Sequence, residues 1–220
     1  MRLRLVVFDV DGTLIDSQAH IGAAMAQAFG GLGLPMPTRE AVLGIVGLSL
    51  PQAMVRLSPE LAARDHDALV AAYKSAFSGL RAEALSPLYP GALAALDALA
   101  QDAGLWLGIA TGKSRRGLAH ILAAHDLGRR FVTTQVADDH PSKPHPAMLH
   151  ACLRETGVAA SDAVMVGDTS YDMDMARAAD VHALGVGWGY HAPGLLGPRV
   201  IADFGHLPEA LKAIWSGART

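Results

Sequence analysis

Short apolar runs alternate with longer amphipathic stretches along most of this chain, and this alternation restricts the fold more than any other feature. Runs rich in Val, Ile, Leu and Gly predict five strands, at residues 5–9, 106–111, 131–135, 163–168 and 182–188. Amphipathic stretches near them predict helices at residues 91–103, 114–126, 146–157 and 171–179. Strands and helices in this order predict an α/β fold with a doubly wound parallel sheet.

The first two predicted strands are unusually far apart in the sequence. Residues 10–105 separate them, although a parallel crossover needs only a dozen or so residues. Most of this excess has the pattern of one helix after another. The sequence therefore predicts a small all-helical cap domain at residues 17–86, inserted after the first strand of a core domain that comprises residues 1–16 and 87–220.

The composition allows a sizeable core and argues against several classes of partner. Of the 220 residues, 51% are hydrophobic, and the net charge of −3 is spread along the chain, which is not typical of nucleic-acid binding. No apolar run approaches the length of a membrane span, and Asp9 and Asp11 interrupt any signal-peptide pattern. The single cysteine, Cys152, excludes an internal disulfide. We expect a cytoplasmic monomer or homodimer without a membrane or nucleic-acid partner.

Two acidic residues end the first predicted strand, where a strand buried on both faces has no obvious use for them. Asp9 and Asp11 are two residues apart, so alternation along the strand sends both side chains to the same side. Their charges repel each other, and a bound cation is the simplest compensation. The fourth predicted strand ends in Asp168, and Asp172 faces back toward it if the next residues are helical. Ligands of open α/β sheets bind at these carboxyl ends, so the acids are expected to meet there.

Hydroxyl and basic groups follow two other strands at the same edge. Thr111 ends the second strand and precedes Gly112 and Lys113, and Lys143 follows the third. Several carboxylates suit Mg²⁺, which binds few protein oxygens together with water and phosphate. With a cation and a lysine present, one carboxylate can attack phosphorus while another protonates the leaving oxygen. The Thr111 hydroxyl and the backbone N–H groups near Gly12 and Gly112 can donate to phosphate, and Lys113 is a candidate contact for a substrate anion. Four residues after the fifth strand are interpreted as structural: Trp188, Gly189, Tyr190 and His191.

Four short motifs make these observations specific. The segments "DVDGTL", "ATGK", "SKP" and "GDTSYD" occur in that order and resemble the signature motifs of the haloacid dehalogenase superfamily of phosphohydrolases, which have a Rossmann-like core. The resemblance implies that Asp9 is a nucleophile that forms an aspartyl-phosphate and that Asp11 is the general acid/base. It also implies that Thr111 and Lys143 hold the phosphoryl group.

The same resemblance implies a Mg²⁺ site. The Asp9 carboxylate, the Asp11 backbone carbonyl and the Asp168 carboxylate would bind the ion, and Asp172 would order its water ligands. We therefore expect a Mg²⁺-dependent phosphomonoesterase.

The helical insert is similar to the mobile cap of the subgroup that contains phosphoglycolate phosphatases. Within it, "GIVGLSL" (residues 44–50) resembles the cap loop over the active site, which implies that Gly47 and Ser49 meet the leaving group. Phosphoglycolate is the substrate that this resemblance suggests. Asp180 departs from the subgroup, where Gly usually ends the helix, but Asp tolerates the left-handed conformation better than most residues.

Four other functions share parts of this pattern. A dehalogenase of the same fold would not need Asp11. A hexose-phosphate mutase shares all four motifs, but the predicted cap loop "GIVGLSLPQ" has no Arg or Lys to anchor a second phosphate, which favours a phosphatase. An inorganic pyrophosphatase of the same subgroup stays open. A phospho-accepting receiver module, a signalling protein rather than an enzyme, carries adjacent acids after its first strand and no helical insert, so it fits poorly.

Overall fold

The computed structural model of the protein describes residues 3–217 and contains one six-stranded sheet within them. Every neighbouring pair of strands is parallel, in the order β3-β2-β1-β4-β5-β6. The strands are β1 Arg4–Phe8, β2 Leu105–Thr111, β3 Thr133–Val136, β4 Ala163–Gly167, β5 His182–Val186 and β6 Val200–Ile201. The predicted α/β fold with a doubly wound parallel sheet is confirmed.

Helices cover both faces of the sheet or lie in the long segment after β1. Four of them separate β1 from the rest of the core: α1 Gln18–Gly31, α2 Arg39–Leu43, α3 Leu50–Leu57 and α4 Ala63–Glu83. The other five α-helices within residues 3–217 are α5 Ala92–Leu99, α6 Arg115–Ala124, α7 Ala147–Thr156, α8 Ser170–Ala178 and α9 Leu207–Ser216. Among the described residues, no helix combines the length and the apolar character that crossing a membrane requires.

Strand β1 lies at the centre of the sheet and is buried on both faces. Val6 and Phe8 pack on one side with side chains of α5, α6 and α9, whereas Leu5 and Val7 pack on the other with side chains of α7 and α8. All four are completely buried, which explains why this strand is a continuous apolar run rather than an alternating pattern. The strand order reverses between β1 and β4, where ligands of such sheets bind.

Helices α1 to α4, which we call the helical insert, have an apolar cluster of their own. Its completely or almost completely buried members include Met25 and Phe29 of α1, Met54 of α3 and Leu69 of α4. The division into a cap domain of residues 17–86 and a core domain of residues 1–16 and 87–220 stays a prediction. Its extreme residues, 1–2 and 218–220, lie outside the described part of the chain.

The two chain segments that connect the helical insert to the core run side by side. Ile15 and Leu88 form an isolated antiparallel bridge. The Asp16 N–H donates to the Pro87 carbonyl over 2.9 Å, and the Tyr89 N–H donates to the Leu14 carbonyl over 2.9 Å. The insert therefore leaves and re-enters the core at one place.

Two differences from the predicted elements lie at the ends of the sheet, and one expected local conformation is present. The third strand begins at Thr133 rather than at residue 131. Strand β6 is not predicted, because a two-residue strand is too short to show a period. Asp180 follows α8 with a φ of 55°, so it adopts the left-handed conformation expected of it.

Candidate active site

Three buried carboxylates meet at the carboxyl ends of β1 and β4. Asp9 follows β1, Asp168 follows β4, and Asp172 lies in the first turn of α8. Each offers one oxygen such that all three oxygens lie within 4.8 Å of one another, and at most 1% of any of the three residues is exposed. Asp9, Asp168 and Asp172 come together as predicted, although they lie up to 163 residues apart in the sequence, whereas Asp11, also predicted to join them, lies outside this group.

The start of α8 explains how Asp172 reaches this position. Thr169 caps the helix, because its hydroxyl oxygen accepts a hydrogen bond from the Asp172 N–H over 3.3 Å. Asp172 Oδ2 in turn accepts from the Thr169 N–H over 3.1 Å and from its hydroxyl over 2.7 Å. This reciprocal capping box holds the Asp172 carboxylate at the helix N-terminus, next to the strand end.

Lys143 is the cation that faces these acids. It is completely buried, and its Nζ lies 2.9 Å from Asp9 Oδ1 and 2.6 Å from Asp172 Oδ1. Burial lowers the pKa of Lys143, but the attraction of Asp172 and Asp9 outweighs burial, and the net pKa is raised. Lys143 therefore stays charged between two carboxylates.

Asp9 is held in an environment that disfavours its charge. Burial raises the pKa of Asp9 to about 6, with Asp172 and Asp11 adding repulsion and Lys143 opposing the shift. Both carboxylate oxygens of Asp9 lack a hydrogen bond of acceptable geometry, even though Lys143 Nζ is close to one of them. The short separation from Lys143 is an ion pair without a well-aligned donor, so the lone pairs of Asp9 remain available.

A divalent cation fits this arrangement. Asp9, Asp168 and Asp172 supply hard oxygen donors, and Lys143 is the one cation that pairs with any of them among residues 3–217. Burial raises the pKa of Asp168 well above its usual value, and Asp172 and Asp9 raise it further. A bound cation would relieve this repulsion and use the open lone pairs of Asp9. Oxygen donors of this kind suit Mg²⁺ better than a thiophilic metal.

Asp11 lies at the edge of the candidate site and is held by neighbouring groups. Lys113 Nζ lies 2.7 Å from both Asp11 carboxylate oxygens. The Ser17 hydroxyl, itself 3.0 Å from the Tyr190 hydroxyl, donates to Asp11 Oδ1. Lys113, which we expected to contact a substrate anion, is therefore paired with the predicted acid/base. Only 9% of its side chain is exposed.

The segment that follows β2 approaches the helical insert very closely. Thr111 is buried at the end of β2, and its hydroxyl oxygen accepts from the Lys113 N–H over 3.3 Å. A Cβ on Gly112 would lie 2.6 Å from the carbonyl oxygens of Gly47 and Leu48. Gly112 thus allows the backbone of the insert to lie against the core, a role that the sequence did not indicate.

The loop between α2 and α3 contacts the core at two further points. Ser49 donates its N–H to the Ser142 hydroxyl oxygen over 2.7 Å, and the Tyr171 hydroxyl donates to the Gly44 carbonyl over 2.8 Å. Tyr171 also packs in the apolar cluster of the insert. Gly47, with a φ of 99°, and Ser49 line the same cavity as Asp9, as the predicted contact with a leaving group requires.

Two glycines make room for the Asp168 carboxylate. A Cβ on Gly12, which has a φ of 84°, would lie 2.1 Å from Asp168 Oδ2, and a Cβ on Gly189 would lie 2.1 Å from Asp168 Cβ. Asp168 also accepts from the Thr13 hydroxyl and the Tyr190 N–H, each over 2.9 Å. Gly12 therefore packs against the carboxylate of Asp168, and the expected donation of backbone N–H groups near Gly12 to a phosphate stays a prediction. The segment after β5 positions Asp168, and the sequence of that segment shows no pattern from which this role could be predicted.

We expect Gly189→Ala to disturb the three buried carboxylates although it replaces none of the predicted catalytic residues. The added methyl overlaps Asp168, so the free energy of unfolding should fall by about 1–3 kcal/mol and the affinity for Mg²⁺ should fall as well. Urea unfolding and calorimetric titration with Mg²⁺ measure the two effects. Gly194→Ala is the matched control, because a Cβ there meets no atom within 4 Å. Unchanged stability and affinity in Gly189→Ala would contradict this view of the site.

A cavity of about 570 Å³ lies between the core and the helical insert and reaches the site. Asp9, Asp11 and Thr111 line its inner end. Lys74 and Arg81 of α4 also line it, and they form no ion pair with any residue of the described chain. The loop before α3 indeed lacks basic residues, but α4 supplies them. Lys74 and Arg81 therefore offer the basic groups that a mutase would need to anchor a second phosphate.

Known proteins match this chain over almost its entire length. The family model for haloacid dehalogenase-like hydrolases matches residues 6–186, which include all four motifs. The chain belongs to this family. The probable phosphatase IndB of Dickeya dadantii is 34% identical over 90% of this chain and 89% of its own length. The phosphoglycolate phosphatase of Vibrio parahaemolyticus is 32% identical over 86% of each chain.

Solved structures of other proteins have the same fold. A hydrolase from Pseudomonas syringae superposes with a TM-score of 0.85 at 25% identity, covering 97% of this chain and 99% of its own. The predicted membership of the haloacid dehalogenase superfamily, in the subgroup similar to phosphoglycolate phosphatases, is confirmed. The predicted roles of individual residues remain predictions.

Proposed function

We propose that this haloacid dehalogenase-like hydrolase is a Mg²⁺-dependent phosphatase that hydrolyses a small phosphomonoester through an aspartyl-phosphate on Asp9. The observation that carries the proposal is the Asp9 carboxylate. It lines the cavity, lies beside the charged Lys143, and has two oxygens without a well-aligned hydrogen-bond donor. An ionised carboxylate with free lone pairs at the end of a cavity is suited to attack phosphorus. Relatives named as phosphatases support this reaction class.

The surrounding residues have complementary roles in this proposal. Bound Mg²⁺, held by the Asp9 and Asp168 carboxylates and the Asp11 carbonyl, would neutralise charge on the phosphoryl oxygens. Lys143 keeps a positive charge next to Asp9 and lessens its repulsion of an anionic substrate. The Thr111 hydroxyl, at the end of the cavity, donates to a phosphoryl oxygen. Asp172 holds Lys143 in place and would order the water molecules around a bound ion.

Asp11 moves the protons of the reaction. It gives a proton to the leaving oxygen when Asp9 attacks, and the resulting carboxylate, the state that pairs with Lys113, later takes a proton from the water that attacks the aspartyl-phosphate. Ser17 and Lys113 hold this carboxylate at the cavity edge, next to the place where a leaving group would lie. Gly47 and Ser49 close the cavity from the insert side.

A hexose-phosphate mutase is the second candidate, because Lys74 and Arg81 line the cavity and can accept a second phosphate. An inorganic pyrophosphatase would use the same site. Family membership among hydrolases argues against a receiver-like signalling module.

Phosphate release distinguishes these functions. The purified protein would be incubated with phosphoglycolate, other phosphomonoesters, pyrophosphate and a hexose 1-phosphate, with Mg²⁺ or with a chelator. We expect release from at least one monoester with Mg²⁺ and a loss of about 100-fold or more with chelator, since the ion carries several kcal/mol of charge stabilisation. Release from pyrophosphate alone, or conversion of the hexose phosphate only with a bisphosphate activator, would replace the proposal by the corresponding alternative.

A further inference from the structure

The cavity is much larger than a two-carbon acid requires. Its volume of about 570 Å³ is in the range of about 300–1,000 Å³ that is typical of sites for drug-sized ligands. Phosphoglycolate would place its phosphoryl group at Asp9 and leave most of this space filled with water. The volume therefore favours an alcohol with a larger body.

One face of α4 forms an aromatic wall of this cavity. Tyr73 and Phe77 are four residues apart and line it together with Ser78, as expected for a single helical stripe. Their rings stack with centroids 5.7 Å apart and an interplanar angle of 28°. Ile21 and Met25, four residues apart on α1, also line the cavity, so two helices contribute apolar side chains to one space.

The aromatic wall begins next to the predicted acid/base. Lys113 Nζ, which pairs with Asp11, lies 5.4 Å from the centre of the Phe77 ring. Burial raises the pKa of the Tyr73 phenol and Asp11 raises it further, so Tyr73 presents a neutral ring in this region. A leaving group whose oxygen is within reach of Asp11 would therefore place its next carbon atoms near these rings.

These aromatic residues are not simply part of the core of the insert. Met54 and Leu69 are completely buried in its apolar cluster, whereas Tyr73 and Phe77 are only partly buried at its edge. Partly exposed rings that line a cavity gain free energy when an apolar ligand removes them from water. Core packing accounts for their position on α4 but leaves this remaining surface without a partner in the described chain.

We propose that the substrate is a phosphomonoester whose alcohol carries a bulky apolar or aromatic body, which packs against Phe77 and Tyr73. This inference rests on the proposed phosphatase function and specifies its substrate class. Selection then comes from the α1 and α4 walls of the cavity, whereas phosphoryl transfer takes place at the strand ends.

A series of primary alkyl phosphates tests the inference, because their leaving groups have similar basicity and differ mainly in size. The probes are ethyl phosphate, butyl phosphate and 2-phenylethyl phosphate, compared with phosphoglycolate, all with Mg²⁺. We expect kcat/KM to rise along the alkyl series by about 10- to 100-fold from ethyl to 2-phenylethyl phosphate, as burial of a phenyl group predicts. 2-Phenylethyl phosphate should also exceed phosphoglycolate.

The Phe77→Ala variant tests whether the aromatic wall of α4 causes the preference for a larger leaving group. It should lower kcat/KM for 2-phenylethyl phosphate by about 10-fold and leave that for ethyl phosphate within about 3-fold. Leu80→Ala is the matched control on the same helix, since Leu80 does not line this cavity. If Phe77→Ala fails to fold, Tyr73→Ala, at the other partly buried ring of the same wall, provides the same comparison.

The outcomes separate the two proposals. Turnover that is flat along the alkyl series, or highest for phosphoglycolate, overturns the inference about the substrate and leaves the phosphatase function intact. No phosphate release from any compound with Mg²⁺ contradicts the phosphatase function itself, and the inference with it.

Discussion

Asn in place of Asp9 should lower the rate of phosphate release by about 10⁴-fold or more. The amide is a poor nucleophile, and loss of a nucleophile in other covalent enzymes has effects of this order. Asn has nearly the same shape as Asp, so the buried position at the end of β1 stays filled. Release of phosphate at saturating Mg²⁺, measured with the best substrate of the panel, gives the effect.

The control for this variant is Asp174→Asn. Asp174 is exposed on α8, where it pairs with Arg177 over 2.9 Å, and it does not line the cavity. It should keep the wild-type rate, and circular dichroism should show that both variants are folded. A wild-type rate in Asp9→Asn would refute the assignment of Asp9 as nucleophile.

Replacement of Lys143 by Met should affect stability as well as activity. Met fills a similar volume but removes the charge that faces Asp9 and Asp172, so these buried carboxylates lose their only cationic partner in the described structure. Breaking a buried ion pair in this way costs about 3–5 kcal/mol. We expect a fall of that size in the free energy of unfolding in the presence of chelator, measured with urea, together with loss of detectable turnover.

Mg²⁺ provides a further readout of Lys143→Met. If the carboxylates hold the ion, added Mg²⁺ should recover part of the lost stability, because binding to the folded state stabilises it. Lys212→Met, at an exposed position of α9, is the control and should unfold like the wild type. Wild-type stability of Lys143→Met in chelator would mean that the buried ion pairs contribute little.

The elements with a regular pattern could be predicted from the sequence. Strand β1 is a continuous apolar run, and the acids at strand ends follow directly from the sheet topology. The position of Asp172 could be predicted because a helix that begins just after Asp168 turns the side chains of its first turn back toward the strand end. The four motifs also identify the family over residues 6–186.

Features that depend on contacts between distant segments could not be predicted. Gly189 and Tyr190 shape the surroundings of Asp168, but the need for Gly there comes from a carboxylate over twenty residues earlier in the chain. Lys113 follows a strand end, which does not reveal that it pairs with Asp11. Lys74 and Arg81 lie on a helix whose orientation over the cavity is set by packing within the insert. Periodicity places a side chain on a face of a helix but does not say what that face meets.

The paired segments at the base of the helical insert have a consequence for how the chain folds. Because residues 14–16 and 87–89 are hydrogen-bonded to each other, the ends of the insert are fixed at one separation whatever lies between them. The entropy lost on closing a loop rises only with the logarithm of its length. Insertions or deletions within the insert therefore change the entropy cost of assembling the sheet very little. The length of the insert can vary without weakening the strands that carry Asp9 and Asp168.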